Sequence, residues 1–284
     1  MILALINNKG GVGKTTTVVN VGAALAREGK RVLIVDLDSQ GAASLSCGLR
    51  RDELKSSVAD VLFNNAPISS VLRETTTPNM KLLPGSHELT HADVALAALP
   101  TREHTLAHAL KSVLADFDVI LIDCPPSLSA LSSNALVAAD QYLVPVPPHY
   151  LAIGGLASLL DAVNRMCDQT DGNVAELMGF VLTLVDYRNR TTTGMVESLR
   201  KHWNENVLKT EIRVNVKLTE APAHGQSIFD YASDSTGAKS YKDLAREIQQ
   251  RHKAWMKGAD APADSAEPLS SIATDTVPSE ETPA

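Results

Sequence analysis

Residues 8–16 read NKGGVGKTT, and this stretch decides the fold. The pattern G-x-x-x-x-G-K-[S/T] is typical of loops that hold phosphate groups with their backbone. Aligned on Gly13 and Lys14, the pattern expects a glycine at position 8, where this chain has Asn8. A second lysine, Lys9, follows directly. The stretch therefore indicates a variant phosphate-binding loop that has lost one glycine and gained one positive charge.

Two short apolar runs flank this loop and the segment that follows it. MILALI (1–6) and RVLIVD (31–36) are nearly continuous apolar runs, which are typical of strands covered on both faces. Residues 15–28 carry apolar side chains at helical spacing, and Gly29 supplies a stop signal after them. The sequence therefore predicts a strand, a glycine-rich turn, a helix and a second, parallel strand.

The alternation of strands and helices continues along the chain. Further strands are predicted at 81–83, 119–123, 142–146 and 180–185, and further helices around 103–115, 152–168, 190–203 and 239–256. Such alternation indicates an α/β fold with a single, doubly wound, mainly parallel sheet and helices on both faces. We predict one domain over residues 1–257 and assign no elements within 42–75.

The predicted loop lies between a buried strand and a helix N-terminus, where backbone N–H groups and the helix dipole favour a phosphate. Gly10, Gly11 and Gly13 allow the backbone to approach that phosphate closely. Lys14 supplies a positive charge between the terminal phosphates of a bound ligand. The Thr15 hydroxyl is a predicted ligand of Mg²⁺, which keeps several waters and uses few protein ligands.

Carboxylates follow two other predicted strands. In FDVILIDCPPS (117–127) a buried strand ends at Asp123, and in LIVDLDSQG (33–41) a strand ends at Asp36 and Asp38. Ligands bind at the carboxyl edge of open α/β sheets, so we assign Asp123 to Mg²⁺, through a bridging water. For Asp36 and Asp38 a second interpretation stays open, in which one or both only cap or solvate the strand end.

The composition is typical of a soluble globular protein. The chain has 284 residues and 44% hydrophobic content, ample for a buried core. No apolar run approaches the roughly 18 residues that span a bilayer, and the first run is too short for a secretory signal. We therefore expect a cytoplasmic protein without a membrane segment. Its three cysteines lack C-x-x-C spacing, so we expect inert thiols.

Charge is distributed unevenly along the chain. The formal net charge is -7, but residues 258–284 contain six acidic and no basic side chains. This segment has four prolines and no aromatic residues, so we predict a disordered acidic tail. Residues 187–257 carry 13 Lys or Arg against 8 Asp or Glu. That segment is either a nucleic-acid-binding surface or an ordinary solvated face.

Taken together, the motifs resemble the ParA/MinD family of P-loop ATPases. KGGVGKTT (9–16) is similar to the family's deviant Walker A loop, DLDSQG (36–41) to its second acidic motif and DVILIDCPPS (118–127) to its metal-binding strand. VNVKLTEAPAHGQSI (214–228) resembles the segment that follows the DNA-facing helix of ParA proteins. The resemblance extends from Met1 to about residue 250. It implies an ATPase that uses ATP and Mg²⁺.

The resemblance also implies roles for single residues. Lys9 would reach across an interface to the ATP of a second subunit, although an exposed loop lysine is the simpler alternative. Asp38 would position the attacking water, Asp36 would support the loop and the metal site electrostatically, and Pro222 would lie near the adenine. The nucleotide-binding residues so implied are Lys9, Gly10, Gly11, Val12, Gly13, Lys14, Thr15, Thr16 and Pro222.

Branches of the family differ in what they bind. The chain lacks the basic amphipathic C-terminal helix of the MinD branch and the paired cluster cysteines of the nitrogenase iron protein branch, so the partition proteins remain. Arg190 and Lys217 match DNA-contacting positions of that branch. The resemblance implies an ATP-dependent homodimer, nonspecific binding to double-stranded DNA, a ParB-like centromere-binding partner and nucleoid association.

An alternative function stays open. The same ATP-bound dimer could serve as a positioning scaffold for a protein cargo, with little dependence on DNA, which the acidic net charge would suit. Ser39 and the pair Arg213 and Val214 depart from the residues common in partition proteins, and the second departure affects the loop around Lys217. No N-terminal helix-turn-helix domain precedes the first strand, so we expect no operator binding.

Overall fold

The computed structural model describes residues 1–99, 102–149, 152–170 and 174–259. The predicted acidic tail lies outside the described residues from residue 260 onward. Residues 258 and 259, which the sequence assigned to that tail, belong instead to the last helix. In the part of the chain that the structure describes, no helix combines the length and apolarity needed to cross a membrane.

A single eight-stranded sheet forms the centre of the molecule, in the order β3-β4-β2-β5-β1-β6-β7-β8. All neighbouring strands are parallel except β3, which runs antiparallel to β4. The strands are β1 (Ile2–Leu5), β2 (Val32–Asp36), β3 (Arg73–Glu74), β4 (Met80–Leu83), β5 (Val119–Asp123), β6 (Gln141–Val146), β7 (Glu176–Val185) and β8 (Val207–Arg213).

Twelve α-helices connect and cover the strands in the described residues. They are α1 (Lys14–Arg27), α2 (Ala42–Ser46), α3 (Val58–Asn64), α4 (Ile68–Val71), α5 (Ala92–Ala97), α6 (Thr105–Leu110), α7 (Ala130–Ala138), α8 (Ala152–Gln169), α9 (Arg190–Trp203), α10 (Val216–Glu220), α11 (Ile228–Tyr231) and α12 (Thr236–Ala259). Short 3₁₀ turns lie at Arg51–Glu53, His87–His91, Leu114–Asp116, Asn204–Asn206 and Ala221–His224.

The predicted fold class and all six predicted strands are confirmed. Two strands were not predicted. β3 has only two residues, and β8 is an edge strand whose centre is polar and only partly buried. The helix predicted at 103–115 is shorter, because it ends at Leu110 and a 3₁₀ turn follows. The last helix is longer than predicted and begins at Thr236.

The sheet carries one hydrophobic core on each face. Leu3 and Leu5 lie in the core beneath α1, α2 and α10 to α12, whereas Ala4 and Ile6 lie in the core beneath α3 to α9. Successive side chains of a strand point to opposite faces, so a central strand covered on both sides must be apolar throughout. This explains the continuous apolar run MILALI. It also places the loop that follows β1 at the middle of the sheet.

A side chain of α1 fixes the C-terminal segment to the phosphate-loop helix. Asn20, which is buried, accepts a hydrogen bond from the backbone N–H of Ile228 at 2.7 Å. Its amide nitrogen donates to the carbonyl of Thr16, one turn earlier in α1, at 2.8 Å. Ile228 is fully buried, so its N–H has no access to water as a substitute partner.

Replacing Asn20 therefore has a predictable cost. Asn20→Ala leaves the buried N–H of Ile228 without an acceptor, and we expect the free energy of unfolding to fall by about 1–3 kcal/mol. Chemical denaturation measures this change. Asn64→Ala is the control, because Asn64 is exposed and its amide donates a surface hydrogen bond to Asp60. Equal losses in the two variants would contradict the role of Asn20.

Candidate functional site

The carboxyl edge of the sheet brings the predicted site residues together. Leu5 of β1 and Asp36 of β2 both pair in register with Asp123 of β5. The loop after β1, the carboxyl group of Asp123 and the loop after β2 therefore begin side by side. The sequence predicted this arrangement, because the carboxyl ends of parallel strands all lie at one edge of the sheet, where ligands bind.

The loop between β1 and α1 depends on glycine. Gly11 and Gly13 have φ angles of 72° and 89°, in the left-handed region that other residues rarely adopt. Gly13 is the N-cap of α1, so the first free N–H groups of the helix follow it directly. Asn7 anchors the start of the loop, donating to the carbonyl of Pro145 at 2.8 Å and accepting from the N–H of Lys9 at 3.0 Å.

Lys14 lies within the loop that it completes. Its side chain is buried, and its ammonium group donates to the carbonyls of Asn7 at 3.1 Å and of Lys9 at 3.0 Å. Burial lowers the pKa of this ammonium, while the negative charge of Asp123 opposes the shift. Lys14 thus holds a desolvated positive charge at the loop, where phosphate oxygens would stabilise it.

Asp123 has the properties of a metal-supporting carboxylate. It is fully buried, and its Oδ2 accepts a hydrogen bond from the Thr15 hydroxyl at 2.7 Å. Its Oδ1 is buried and has no hydrogen-bond partner among the residues that the structure describes. Burial is the main cause that raises the pKa of Asp123 well above its usual range, and the nearby negative charge of Asp36 raises it further. An orphaned carboxylate oxygen beside a threonine hydroxyl fits Mg²⁺, which prefers hard oxygen ligands and bound water.

Asp36 is bonded differently from Asp123. Its Oδ2 accepts from both the N–H and the hydroxyl of Ser44, at 2.8 and 2.7 Å, and its Oδ1 accepts from the N–H of Asp38 at 3.1 Å. Burial raises the pKa of Asp36 to about 6, against the effect of these donors. Both oxygens are thus used to hold α2 and the Asp38 loop, which agrees with a supporting role and leaves Asp123 as the better metal candidate.

Asp38 lies in a turn packed against Gly85. Its Oδ1 accepts from the N–H of Gln40 at 2.9 Å, and its carbonyl accepts from the N–H of Gly41 at 2.9 Å. A Cβ atom on Gly85 would come within 2.7 Å of the Asp38 carbonyl oxygen and 2.9 Å of the Asp36 carboxyl carbon. Only glycine therefore fits there without moving the acidic loop. Sequence reasoning missed Gly85 and Ser44, because neither carries a motif.

Lys9 rests on helix α8. A Cβ atom on Gly155 would be 3.3 Å from the Lys9 ammonium nitrogen, so the side chain lies on the bare backbone of that residue. Within the described ranges, the Lys9 ammonium makes no hydrogen bond or ion pair. It therefore differs from Lys14, whose ammonium is bound by carbonyls of its own loop.

The segment around Pro222 packs against the end of α2 through a contact between two glycines. Pro222 lies in the 3₁₀ turn Ala221–His224, which ends at Gly225. A Cβ atom on Gly225 would lie 2.7 Å from the Cα of Gly48, so the two backbones touch. Gly48 follows α2. Ile228, three residues after Gly225, donates its backbone N–H to Asn20 of α1. Pro222 is thus adjacent to elements that begin at the acidic and phosphate loops.

The predicted DNA-contacting residues lie at the same edge of the sheet. Arg190 begins α9, which follows β7, and Lys217 lies in the first turn of α10, which follows the neighbouring β8. Both side chains are exposed. Arg190 has no ion pair within the part of the chain that the structure describes, whereas Lys217 bonds to Glu220 at 2.9 Å.

Two of the arginines that contribute to the positive charge of residues 187–257 form ion pairs with carboxylates of the same chain. Arg188 makes two hydrogen bonds to the carboxylate of Asp186, at 2.7 and 2.8 Å. Arg200 donates to the carboxylate of Glu211 and to the carbonyl of Leu208. The charge of each arginine is therefore partly cancelled, by a carboxylate two residues away for Arg188 and by one on the neighbouring strand β8 for Arg200. Arg190 is therefore the stronger candidate for a contact with DNA phosphates.

Known proteins share this architecture and sequence. The model of the AAA domain family matches residues 1–175. The sporulation initiation inhibitor protein Soj of Bacillus subtilis is 41% identical over 87% of this chain and 97% of its own. The chromosome partitioning protein ParA of Caulobacter vibrioides is 35% identical over 89% of this chain and 95% of its own. The chain belongs to the ParA/MinD family of P-loop ATPases.

A solved structure extends this assignment to the cofactors. Cobyrinic acid a,c-diamide synthase from Mycobacterium smegmatis, crystallised with an ATP analog and magnesium, superimposes with a TM-score of 0.77. It is 34% identical, and the match covers 89% of this chain and 96% of that chain. The present chain, as a member of the ParA/MinD family of ATPases, accordingly uses ATP and Mg²⁺. Bound Mg²⁺ would neutralise charge on the phosphates, with Thr15 and Asp123 as the residues that hold it.

Asp123→Asn should change nucleotide binding and stability in opposite directions. The substitution removes the negative charge that supports Mg²⁺, so we expect Mg²⁺-dependent ATP binding to be lost. Without nucleotide at pH 7.5, the variant should be more stable than the natural protein, because a buried carboxylate with a raised pKa disfavours the folded state at a pH where the unfolded chain ionises freely. Calorimetric titration and thermal unfolding measure the two effects.

The exposed Asp116 supplies a matched control for this experiment. Asp116→Asn removes the same charge from the surface, so it should leave ATP binding unchanged and alter stability by no more than about 0.5 kcal/mol. If Asp123→Asn retained full Mg²⁺-dependent binding, the assignment of Asp123 to the metal would be wrong.

Proposed function

We propose that this protein is a partition ATPase whose ATP-bound dimer binds DNA without sequence preference. Hydrolysis, stimulated by a ParB-like centromere-binding partner, releases the dimer from DNA. The observation that carries the proposal is the near full-length similarity to Soj and ParA, two proteins of which the second is named for chromosome partitioning. In this proposal residues 1–257 are the ATPase domain, and the ATP-bound form coats the nucleoid.

Lys9 supports a role for two subunits. Its ammonium group has no partner of its own within the described ranges and rests on Gly155, so it can leave that position without breaking an ion pair. In the proposed dimer it reaches the phosphates of the second subunit's ATP. A positive charge that arrives at the transferring phosphoryl group from another subunit lowers the barrier to transfer, as an arginine finger does.

Asp38 is the proposed residue for positioning water. Its backbone is fixed by Asp36 and by the turn to Gly41. Among the described residues its carboxylate accepts a hydrogen bond only through Oδ1, from the N–H of Gln40. Oδ2 therefore remains able to accept a hydrogen bond from water beside the phosphates. The side chain is half-buried at the same edge of the sheet as Lys14 and Thr15. Orientation of the attacking water is a known requirement of phosphoryl transfer.

DNA binding is proposed for the surface formed by the starts of α9 and α10. Arg190 and Lys217 are exposed there, and a groove of about 460 Å³ at the carboxyl ends of β7 and β8 adds Arg213 to its lining. Contacts with phosphates need charge more than shape, because counterion release drives nonspecific binding. One subunit offers few such charges. A dimer doubles the number and thereby connects DNA affinity to ATP.

A salt series with two variants tests this proposal. We expect binding to arbitrary duplex DNA with ATP and Mg²⁺, no binding with ADP, and a steep decrease with salt. Arg190→Ala should weaken binding more than tenfold and reduce the slope of log K against log salt by about 2, since each dimer loses two phosphate contacts. Fluorescence anisotropy measures both quantities, and size-exclusion chromatography should show an unchanged dimer.

Arg188→Ala is the matched control, because Arg188 lies two residues away and is held by Asp186. Its loss should affect DNA affinity much less than the loss of Arg190. Equal effects of the two substitutions, or full DNA affinity in Arg190→Ala, would refute the assignment of Arg190. Absence of DNA binding with ATP would refute the partition proposal while leaving the ATPase intact.

The second candidate is an ATP-dependent scaffold that positions a protein cargo. The net charge of -7 favours it, since an acidic protein is repelled by nucleic acid unless its basic surface dominates locally. Asp38→Ala should bind ATP without hydrolysing it and so remain dimeric. Capture of a discrete protein by this variant after nuclease treatment, together with absent DNA binding, would favour the scaffold.

A further inference from the structure

The end of strand β7 contacts the phosphate-binding loop. Thr183 is buried, and its hydroxyl donates a hydrogen bond of 2.8 Å to the backbone carbonyl of Val12. The Thr183 side chain also fills the space beside Gly13, where an added Cβ atom would lie 3.7 Å from its Cβ and Cγ2 atoms. The two partners are the last two loop residues before α1.

The backbone of β7 is irregular beside this contact. The residue after Thr183, Leu184, has a φ angle of 53°, which is unfavourable for a side chain that is not glycine, asparagine or aspartate. The register between β7 and β8 also shifts between Leu182 and Val185. It shifts earlier as well, between Phe180 and Leu182, so Thr183 lies within an irregular stretch of β7. Backbone strain that persists in a structure is maintained by the contacts around it, and the contact here is to the loop.

The loop has anchors at both ends. Asn7 bonds to Pro145 of β6 at its start, and Thr183 of β7 bonds to Val12 at its end. Between these anchors the backbone has no regular secondary structure, and two of its residues are left-handed glycines. Oriented backbone N–H groups bind an anion well only when their positions are fixed beforehand. Loss of either anchor frees the loop to adopt other conformations.

We propose that Thr183 is a positioning residue for ATP, which fixes the Val12–Gly13 backbone for the phosphates without touching the nucleotide. The proposal goes beyond the partition function and depends only on ATP binding, so it is independent of DNA, of dimer formation and of any partner protein. The hydroxyl carries the effect, because valine has nearly the same shape and cannot donate a hydrogen bond to the carbonyl of Val12.

Three substitutions test this role. Thr183→Val should raise the dissociation constant for ATP and the KM of the ATPase about five- to tenfold, the equivalent of one lost hydrogen bond, with a smaller change in kcat. Thr183→Ser restores the hydroxyl and should return both values close to those of the natural protein. Thr183→Ala also removes the hydroxyl and replaces Thr183→Val in the series if the latter does not fold.

Thr170→Val is the matched control. Thr170 is buried at the end of α8, and its hydroxyl donates to the carbonyl of Met166 at the same distance, 2.8 Å. Both valine variants lose a buried threonine hydrogen bond, so both should unfold at lower temperature, but only Thr183→Val should weaken ATP binding. Unchanged ATP affinity in Thr183→Val, an equal loss in Thr170→Val, or no recovery in Thr183→Ser would overturn the proposal.

Discussion

Three ionisable groups are buried together at the carboxyl edge of the sheet, and the cost of removing their charges from water determines the local structure. Lys14, Asp36 and Asp123 each have a pKa shifted toward the neutral form, because burial penalises the charge. The protein offsets this cost with donors and acceptors from several elements. Ser44 bonds to Asp36, Thr15 to Asp123 and loop carbonyls to Lys14.

The buried charge is not fully compensated at the position where the metal would bind. Asp36 has donors on both oxygens, but Oδ1 of Asp123 has none in the described part of the chain. A site that binds a metal and polyphosphate must keep some of its charge unsatisfied, since a fully neutralised pocket would gain little from binding either. The uncompensated charge costs folding free energy, which burial in the two hydrophobic cores offsets.

The sequence was most informative where local chemistry determines structure. The left-handed glycines of the phosphate loop, the apolar strands and the carboxylates after β2 and β5 could all be predicted, because each depends on neighbours in the chain or on the common edge of parallel strands. Gly85, Ser44 and Thr183 could not be predicted. Gly85 and Thr183 contact loops that are distant in sequence, and Ser44 contacts a carboxylate eight residues earlier, but a single glycine, serine or threonine has no pattern that indicates its partner. The pairing of Arg200 with Glu211 likewise exists only in the folded chain.

The central position of β1 has a consequence for synthesis of the protein. This first strand pairs with β5 on one side and β6 on the other, so its hydrogen-bonding partners are translated more than a hundred residues later. Until those strands leave the ribosome, the most hydrophobic segment of the N-terminus has no sheet to join. The phosphate loop gains its two anchors only with Pro145 and Thr183. A nascent chain that ends before Thr183 lacks one of these anchors, so its phosphate loop is not yet held as it is in the finished protein.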